Sequence, residues 1–341
     1  MGTSTSSASR PKLSVIILCW NDLRIITDCL KSIYAHTHLT DFEVIVSDNG
    51  SSDGSPEFIH NHFPLVNVVE NGANLRFSKG NNAGIEVARG ELILILNPDT
   101  LIHDGALDKF VEFADRHPEA GAFGCRVLNA DGSYQGPARP FPTIWREWLA
   151  ALYLRPLGYL SDLLTSDVYV GWHGDTERSI DWQSGCCQMF RAELLKHLKG
   201  FDERFFYYYE DVDLCHRVWD AGYPILYTPA ATITHLGGQS TTTRSRLSFE
   251  LDKYRNRYRY FHKYYGRTGA RRSRRVTLAW LRLRFVGYGC LHLFKPAQAT
   301  RDRLALYRAA IQWNKHVDPV RLVEQGEDPK FDLRTATVPL S

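Results

Sequence analysis

The sequence predicts an α/β protein built on a doubly wound, mostly parallel sheet with flanking helices and a basic helical extension behind it. Three observations carry this. Apolar runs and helical stretches alternate as β-α-β-α-β-α-β over the first hundred residues, the pattern of strands joined by crossover helices. Residues 92–96, LILIL, form an unbroken apolar run, which suits a strand buried on both faces. Three of the runs end in polar clusters: Asn21-Asp22, Asp48-Asn49 and Asn97-Pro98-Asp99. This topology places all three on one sheet edge, where open α/β sheets bind ligands.

Residues 13–18 are the first strand. Asp22 suits the N-cap of a helix on which Ile25, Ile26, Cys29, Leu30 and Ile33 recur at helical spacing. Residues 42–46 are the second strand and open into SDNGSSDGS, residue types of a tight turn with exposed amides. Pro56 fits the first turn of a short helix to residue 63. Residues 66–69 are the third strand and 77–88 a helix. The fourth strand stops at Pro98, which has no N–H for the ladder. Behind it come a helix at 106–116, a strand at 122–128, and a Gly/Pro-rich surface excursion at 129–143. Residues 145–164 are apolar and aromatic but contain Pro156, Arg146 and Glu147, which argues against a membrane span. A buried helical pair is the favoured reading, a membrane-dipping loop the other. A helix at 191–198 and strands at 225–228 and 231–235 complete the body.

The chemistry-bearing types cluster at the element ends. Asp99, just past the carboxyl end of a central strand, can ligate a hard divalent cation or merely cap the next turn. In residues 205–213, FFYYYEDVD, aromatics run into three carboxylates. Glu210, Asp211 and Asp213 open a helix, where the dipole favours one carboxylate by up to ~1 kcal/mol. One is enough for capping. Three beside an aromatic wall suit a general base tuned by desolvation. His235, followed by Gly237-Gly238, is a fair contact for a metal or phosphate.

Length and composition fit one large domain plus an appendage or two domains: 341 residues, 44% hydrophobic and 23% charged. Seven cysteines without CxxC spacing predict a reducing compartment with neither a disulfide framework nor a zinc site. The polar start lacks the apolar core of a signal peptide. No G-x-G-x-x-G follows the first strand and no G-x-x-x-x-G-K-[ST] occurs, which argues against a dinucleotide dehydrogenase and a P-loop NTPase. The net charge of +3 divides unevenly. Residues 1–240 carry 19 basic against 30 acidic side chains, and residues 241–341 carry 22 against 8. A basic tail suits an anionic membrane surface; no nucleic-acid recognition motif accompanies it.

As an ordered set, several of these pieces resemble one family. They are Cys19-Trp20-Asn21, the turn at 48–54, Asn74 with Phe77-Ser78-Lys79-Gly80-Asn81-Asn82, and Asn97-Pro98-Asp99-Thr100. They continue with Ser184-Gly185, Gly200-Phe201-Asp202-Glu203, Glu210-Asp211-Val212-Asp213-Leu214, Ala221-Gly222-Tyr223 and His235-Leu236-Gly237-Gly238. The chain is similar to the family 2 glycosyltransferases of the Rossmann-like GT-A fold, in the bacterial rhamnosyltransferase-like branch. The resemblance implies a catalytic domain at 13–240, with a nucleotide-sugar half at about 13–103 and an acceptor half at about 104–240, between a disordered 1–12 and a basic helical 241–341. It implies Asp211 as catalytic base with Glu210 beside it. Asp48 would bond the nucleotide base, and Asn21, Asn74, Lys79, Asn97, Ser184 and Gly185 would line the donor site. Trp182, Tyr209 and Asp213 would lie on the acceptor side. Asp99 and His235 would hold Mg²⁺ or Mn²⁺. Asn97 stands where the family's D-x-D motif has its first carboxylate, leaving one carboxylate for the cation.

The implied reaction is inverting transfer from a nucleotide sugar, best dTDP-rhamnose, to a lipid-linked saccharide in cell-envelope polysaccharide synthesis, at the cytoplasmic face of the membrane. The alternatives are a UDP-sugar donor (galactofuranose, glucose or N-acetylglucosamine) and a non-catalytic nucleotide-sugar-binding scaffold. A glycosidase using Glu210 and Asp213 would leave the polar sheet edge unexplained. In the tail, Leu247, Leu251, Tyr254, Tyr258, Phe261 and Tyr265 form a helical stripe, expected to pack on the catalytic domain. Residues 276–294 are apolar but carry Arg282 and Arg284 behind the run 271–275, which suits an interfacial helix.

Overall fold

The computed structural model describes residues 10–161, 164–237 and 246–328; most of the expected disordered start and Gly238 lie outside them. Two compact units emerge. The first comprises residues 1–139, 172–203 and 211–241, the second 140–171, 204–210 and 242–341.

The first unit is a sheet with helices on both faces. Its elements begin β1 Leu13–Cys19, α1 Leu23–His36, β2 Phe42–Asp48, α2 Ser55–His62, β3 Val66–Glu70, α3 Arg76–Val87 and β4 Leu92–Leu96. They continue with β5 Thr100–Ile102, α4 Ala106–Arg116, β6 Ala122–Leu128 and β7 Ala138–Arg139. Strand order in the main sheet is β3-β2-β1-β4-β10-β6-β11-β5, where β10 is Cys187–Arg191 and β11 is Ile225–His235. The half from β3 to β4 is parallel. β10 enters antiparallel between β4 and β6. α6 Ala192–His197 follows β10, and α7 Glu210–Asp220 precedes β11. Short β8 Arg178–Ser179 pairs with β11, and β9 Trp182–Gln183 with β7.

Period-two alternation explains the two covered faces. Val15 and Ile17 of β1 join a core with Ile26, Cys29, Leu30 and Ile33 of α1. The intervening Ile16 and Leu18 face α3, where Gly80 and Gly84 leave no room for a Cβ. All five residues of β4 are buried, as a strand covered on both faces requires. Asp22 does occupy the N-cap position of α1, but the carboxylate that accepts from Leu23 N is Asp53's, at 2.9 Å.

The second unit is helical: α5 Ile144–Ala151, a 3-10 turn Arg155–Tyr159, α8 Arg246–Phe294 broken at Gly266, α9 Gln298–His316 and α10 Pro319–Gln325. Of the stripe, Leu247, Leu251, Tyr254, Tyr258 and Phe261 are buried, as its period demands, and Tyr265 is exposed. What covers the first four is Leu306, Tyr307, Ala310 and Trp313 of α9, where the sequence pointed to the catalytic domain. Arg257, off the stripe, is half-buried in an ion pair with Glu147 of α5.

One expectation fails in this unit. Among the described residues of 145–164 no buried helical pair forms: only Leu149 and Ala151 of α5 are buried, and Trp145, Tyr153, Tyr159 and Leu160 are exposed. α5 is eight residues long and gives way to a single 3-10 turn containing Pro156, so it meets no second α-helix within the segment; residues 162–163 lie outside the described residues.

Gly90 lies hard against the backbone of β1. Its N–H donates to Ser14 Oγ at 2.7 Å, and a Cβ would lie 2.5 Å from the Ser14 backbone nitrogen. Gly90→Ala is therefore expected to lower stability by about 1–3 kcal/mol, read as a shifted denaturant midpoint at unchanged slope.

Candidate active site

The site is assembled at the carboxyl edge of the sheet. Parallel register sets Cys19 of β1 beside Asp48 of β2, so the first two polar clusters meet as expected. Asp48 Oδ2 accepts from the N–H groups of Gly50 and Ser51, both at 2.9 Å. Its Oδ1 is buried with no hydrogen-bond partner in the structure, an acceptor held for a ligand's donor. Asn21 braces this turn: its Oδ1 accepts from Ser52 N at 2.7 Å and its N–H donates to Ser51 Oγ. Asn74 and Lys79 are exposed around the start of α3, and Asn74 Oδ1 accepts from Arg76 N. The Asp48 turn and the loop before α3 touch, because a Cβ on Gly50 would lie 2.9 Å from Ala73 N.

A second corner joins β4 to β11. β5 pairs antiparallel with β11, setting His235 opposite Thr100. That register brings His235 Nε2 to 3.1 Å from Asp99 Oδ1 and 3.4 Å from Asn97 Nδ2. Gln135, from the 129–143 excursion, completes the corner. Its Nε2 donates to Asn129 Oδ1 at 2.9 Å, which turns its Oε1 to His235 Nδ1 at 3.0 Å. Nδ1 must then donate, and in the neutral ring Nε2 carries the lone pair. Two lone pairs would face each other at 3.1 Å, an arrangement that a shared cation relieves. Cis ligands on a cation at ~2.1 Å lie about 3 Å apart, so the two donors fit a small divalent ion that keeps its remaining positions for phosphate or water.

The third corner is Asp211 at the start of α7. Its Oδ2 accepts from Gly185 N at 3.1 Å and its Oδ1 from Val212 N at 2.8 Å. Burial pushes its carboxyl up to about 6, against those N–H groups and the field of Arg139. Gly185 has no room to spare: a Cβ would meet Phe77 Cζ at 3.3 Å and Asp211 Cβ at 3.7 Å. The next residue, Cys186, accepts at its backbone oxygen from Asn97 N at 3.0 Å. Asp211 and Asn97, two residues before Asp99, therefore bind opposite ends of one dipeptide. Ser184 N donates to Pro137 O, and Trp182 pairs with Arg139 across β7 and β9. Glu210, the first residue of α7, is buried. Tyr209 lies in the left-handed region at φ +70°.

Asp213 corrects the acceptor-side expectation. Its side chain has no exposed surface, and its Oδ2 accepts from Arg217 Nε at 2.9 Å. Arg217 also donates to Leu198 O and Gly200 O. The pair locks α7 to the turn behind α6. The i,i+4 spacing of Asp213 and Arg217 on a helix was the overlooked signal. Gln135 and Arg139 were missed as well; both stand in the excursion whose Gly/Pro content marked it as surface.

Replacing Asp213 by Asn leaves the half-buried Arg217 guanidinium without its counter-charge, so about 3 kcal/mol of stability is expected to go, while donor binding by the folded fraction stays within a few fold. Gln135→Leu frees the His235 ring and is expected to weaken Mn²⁺ binding ~10-fold, read by electron paramagnetic resonance. Gln135→Glu, which still presents an acceptor to Nδ1, is expected to hold the affinity.

Residues 14–171 match the description "Glycosyl transferase family 2". The chain is 33% identical over 210 residues to an N-acetylglucosaminyl-diphospho-decaprenol L-rhamnosyltransferase of Mycobacterium tuberculosis, covering 58% of this chain and 67% of that relative. It is 24% identical over 218 residues to the rhamnosyltransferase WbbL of Escherichia coli, 61% of this chain and 78% of the relative. In fold it is similar to the mannosyltransferase PcManGT of Pyrobaculum calidifontis, solved with GDP-Man and Mn²⁺. That likeness has a TM-score of 0.52 at 18% identity and covers 91% of this chain and 89% of the other. The chain belongs to glycosyl transferase family 2 and is a glycosyltransferase.

Proposed function

We propose that the protein transfers rhamnose from dTDP-rhamnose to a lipid-linked saccharide, with inversion at the anomeric carbon, at the membrane surface that carries the acceptor. The observation that carries this reading is that one dipeptide, residues 185–186, is bound at one end by the raised carboxylate of Asp211 and at the other by Asn97, which opens the turn to the Asp99–His235 pair. A base and a charge-stabilising corner joined in this way suit a displacement in which nucleophile and diphosphate stand on opposite sides of one carbon.

Asp211 takes the proton of the acceptor hydroxyl as that oxygen attacks the anomeric carbon. Two backbone N–H groups hold its carboxylate in place, so little reorganisation accompanies the transfer. Asp99 and His235 would hold Mg²⁺ or Mn²⁺, which neutralises charge developing on the leaving diphosphate. The orphan Oδ1 of Asp48 suits the ring N–H of a pyrimidine base. Thymine and uracil both offer that donor, so the rhamnose assignment leans on the two rhamnosyltransferase relatives, and the lipid-linked acceptor on the mycobacterial one.

A screen of dTDP- and UDP-sugars with Mg²⁺, Mn²⁺ or EDTA tests the reading. Turnover of dTDP-rhamnose that EDTA abolishes is expected. Turnover of a UDP-sugar alone would overturn the donor, and failure of well-folded protein to bind any nucleotide sugar would overturn the enzyme reading in favour of a scaffold. Asp211→Asn should reduce kcat by ~10²–10⁴ with donor affinity nearly unchanged, whereas Asp99→Ala should lose cation binding.

The pH profile follows from the same carboxyl. A base works deprotonated, and burial places this one at about 6. Below pH 6 kcat/KM is expected to fall about tenfold per pH unit, with a plateau above. A profile flat to pH 4 would remove Asp211 from that role.

A further inference from the structure

The second unit ends in a surface that the transfer chemistry does not use. Beyond Leu281, no residue of α8 is buried. On the side turned to α9, Phe285 and Tyr288 are partly covered, and Tyr288 accepts from Arg303 Nη1. The other side carries Leu283, Val286, Cys290, Leu293 and Phe294, at 47%, 62%, exposed, 82% and 89%. Their spacing of 3, 4, 3 and 1 draws one apolar stripe along the free side of the helix. Carried back toward the N-terminus, the same side presents Arg282, Arg275 and Arg272, all exposed. The helix thus reads basic and then apolar along one face, over about 33 Å from Arg272 to Phe294.

A second exposed apolar stretch borders this tip. The Arg284 guanidinium lies 4.5 Å from the Trp280 ring centre and 5.5 Å from that of Tyr153. Tyr153 belongs to the segment after α5, which packs on α8 and exposes Tyr153 at 61%, Tyr159 at 71% and Leu160 at 76%. Trp145, on α5 itself, is 55% exposed. Trp and Tyr beside aliphatics are the residue types that settle at a membrane–water interface.

We propose that the free face of α8 from Arg272 to Phe294, together with Tyr153 and Tyr159, is a docking surface for an anionic lipid bilayer: the stripe enters the headgroup boundary and the arginines meet lipid phosphates. No helix among the described residues is long and apolar enough to cross a membrane, so this contact lies in the interface plane. Charge selects the bilayer over a second copy of the chain. Two copies meeting through this face would bring Arg272, Arg275 and Arg282 against their own kind, whereas an anionic surface neutralises them. The surface deepens the proposed use of a lipid-linked acceptor, and it is read without any sugar transfer.

Flotation of the full chain with vesicles tests it. Binding is expected to an equimolar mixture of phosphatidylcholine and phosphatidylglycerol, and tenfold less to phosphatidylcholine alone. Leu293→Ser with Phe294→Ser, at positions too exposed to disturb folding, should reduce binding at least tenfold at any salt. Arg272→Gln with Arg275→Gln should remove mainly the salt-sensitive part. The proposal is overturned if the wild type stays unbound at low salt, if the tip variant floats like the wild type, or if light scattering shows a wild-type dimer that the tip variant abolishes. Because no donor or acceptor is present, an inactive transferase that still floats would fault the reaction alone.

Discussion

Two hydrogen bonds, from Gly185 N to the Asp211 carboxylate and from Asn97 N to Cys186 O, tie the base and the end of β4 to one dipeptide. Its peptide units are planar and stiff. Because β10 pairs with β4 immediately beyond, Cys187 against Leu96, the dipeptide is fixed by the central sheet itself. The position of the Gly185 N–H that holds the base is thus a property of strand register. A base that must meet a hydroxyl while a diphosphate departs on the far side needs its carboxylate held to a fraction of an ångström.

Energy is stored beside it. Tyr208 and Tyr209 both adopt left-handed φ, at +65° and +70°, at a cost on the order of 1–3 kcal/mol for each such non-glycine residue. Their rings are held by neighbours in the second unit: Tyr208 lies 5.2 Å from Phe249 and Tyr209 5.4 Å from Tyr260. The consecutive strained residues turn the chain sharply into α7. Burial of Asp211 acts in the same sense, disfavouring the charged form that the reaction requires. Strain and desolvation persist only where surrounding packing offsets them.

The parallel half of the fold was legible because its signals are local. The runs that became β1, β2 and β4 are contiguous and apolar, and their polar ends fall on one edge whatever the details of packing. The Asp99–His235 corner depends on an antiparallel pairing between residues 135 positions apart, and a three-residue β5 leaves no periodicity to find; each residue was legible alone as a possible metal contact, and only the resemblance joined them. Gln135 sits among Gly and Pro, which advertise a loop and conceal its hydrogen bond. Asp211 and Asp213 look alike in sequence, yet one accepts from backbone at an opening and the other is spent on Arg217. The apolar segment around Tyr153 misled for a general reason: composition reports what would favour burial, not whether a partner element forms to provide it.

The cysteines carry a practical consequence. Six are buried, and burial pushes the thiols of Cys19, Cys29 and Cys215 up to about 12. Thiolate is the reacting species, so at neutral pH those groups are inert to alkylating reagents while the fold is intact. Cys290 is the exception, exposed in the middle of the apolar stripe of α8. The native chain therefore offers a built-in attachment point for a single fluorophore or spin label on the face where a change of surrounding medium would register.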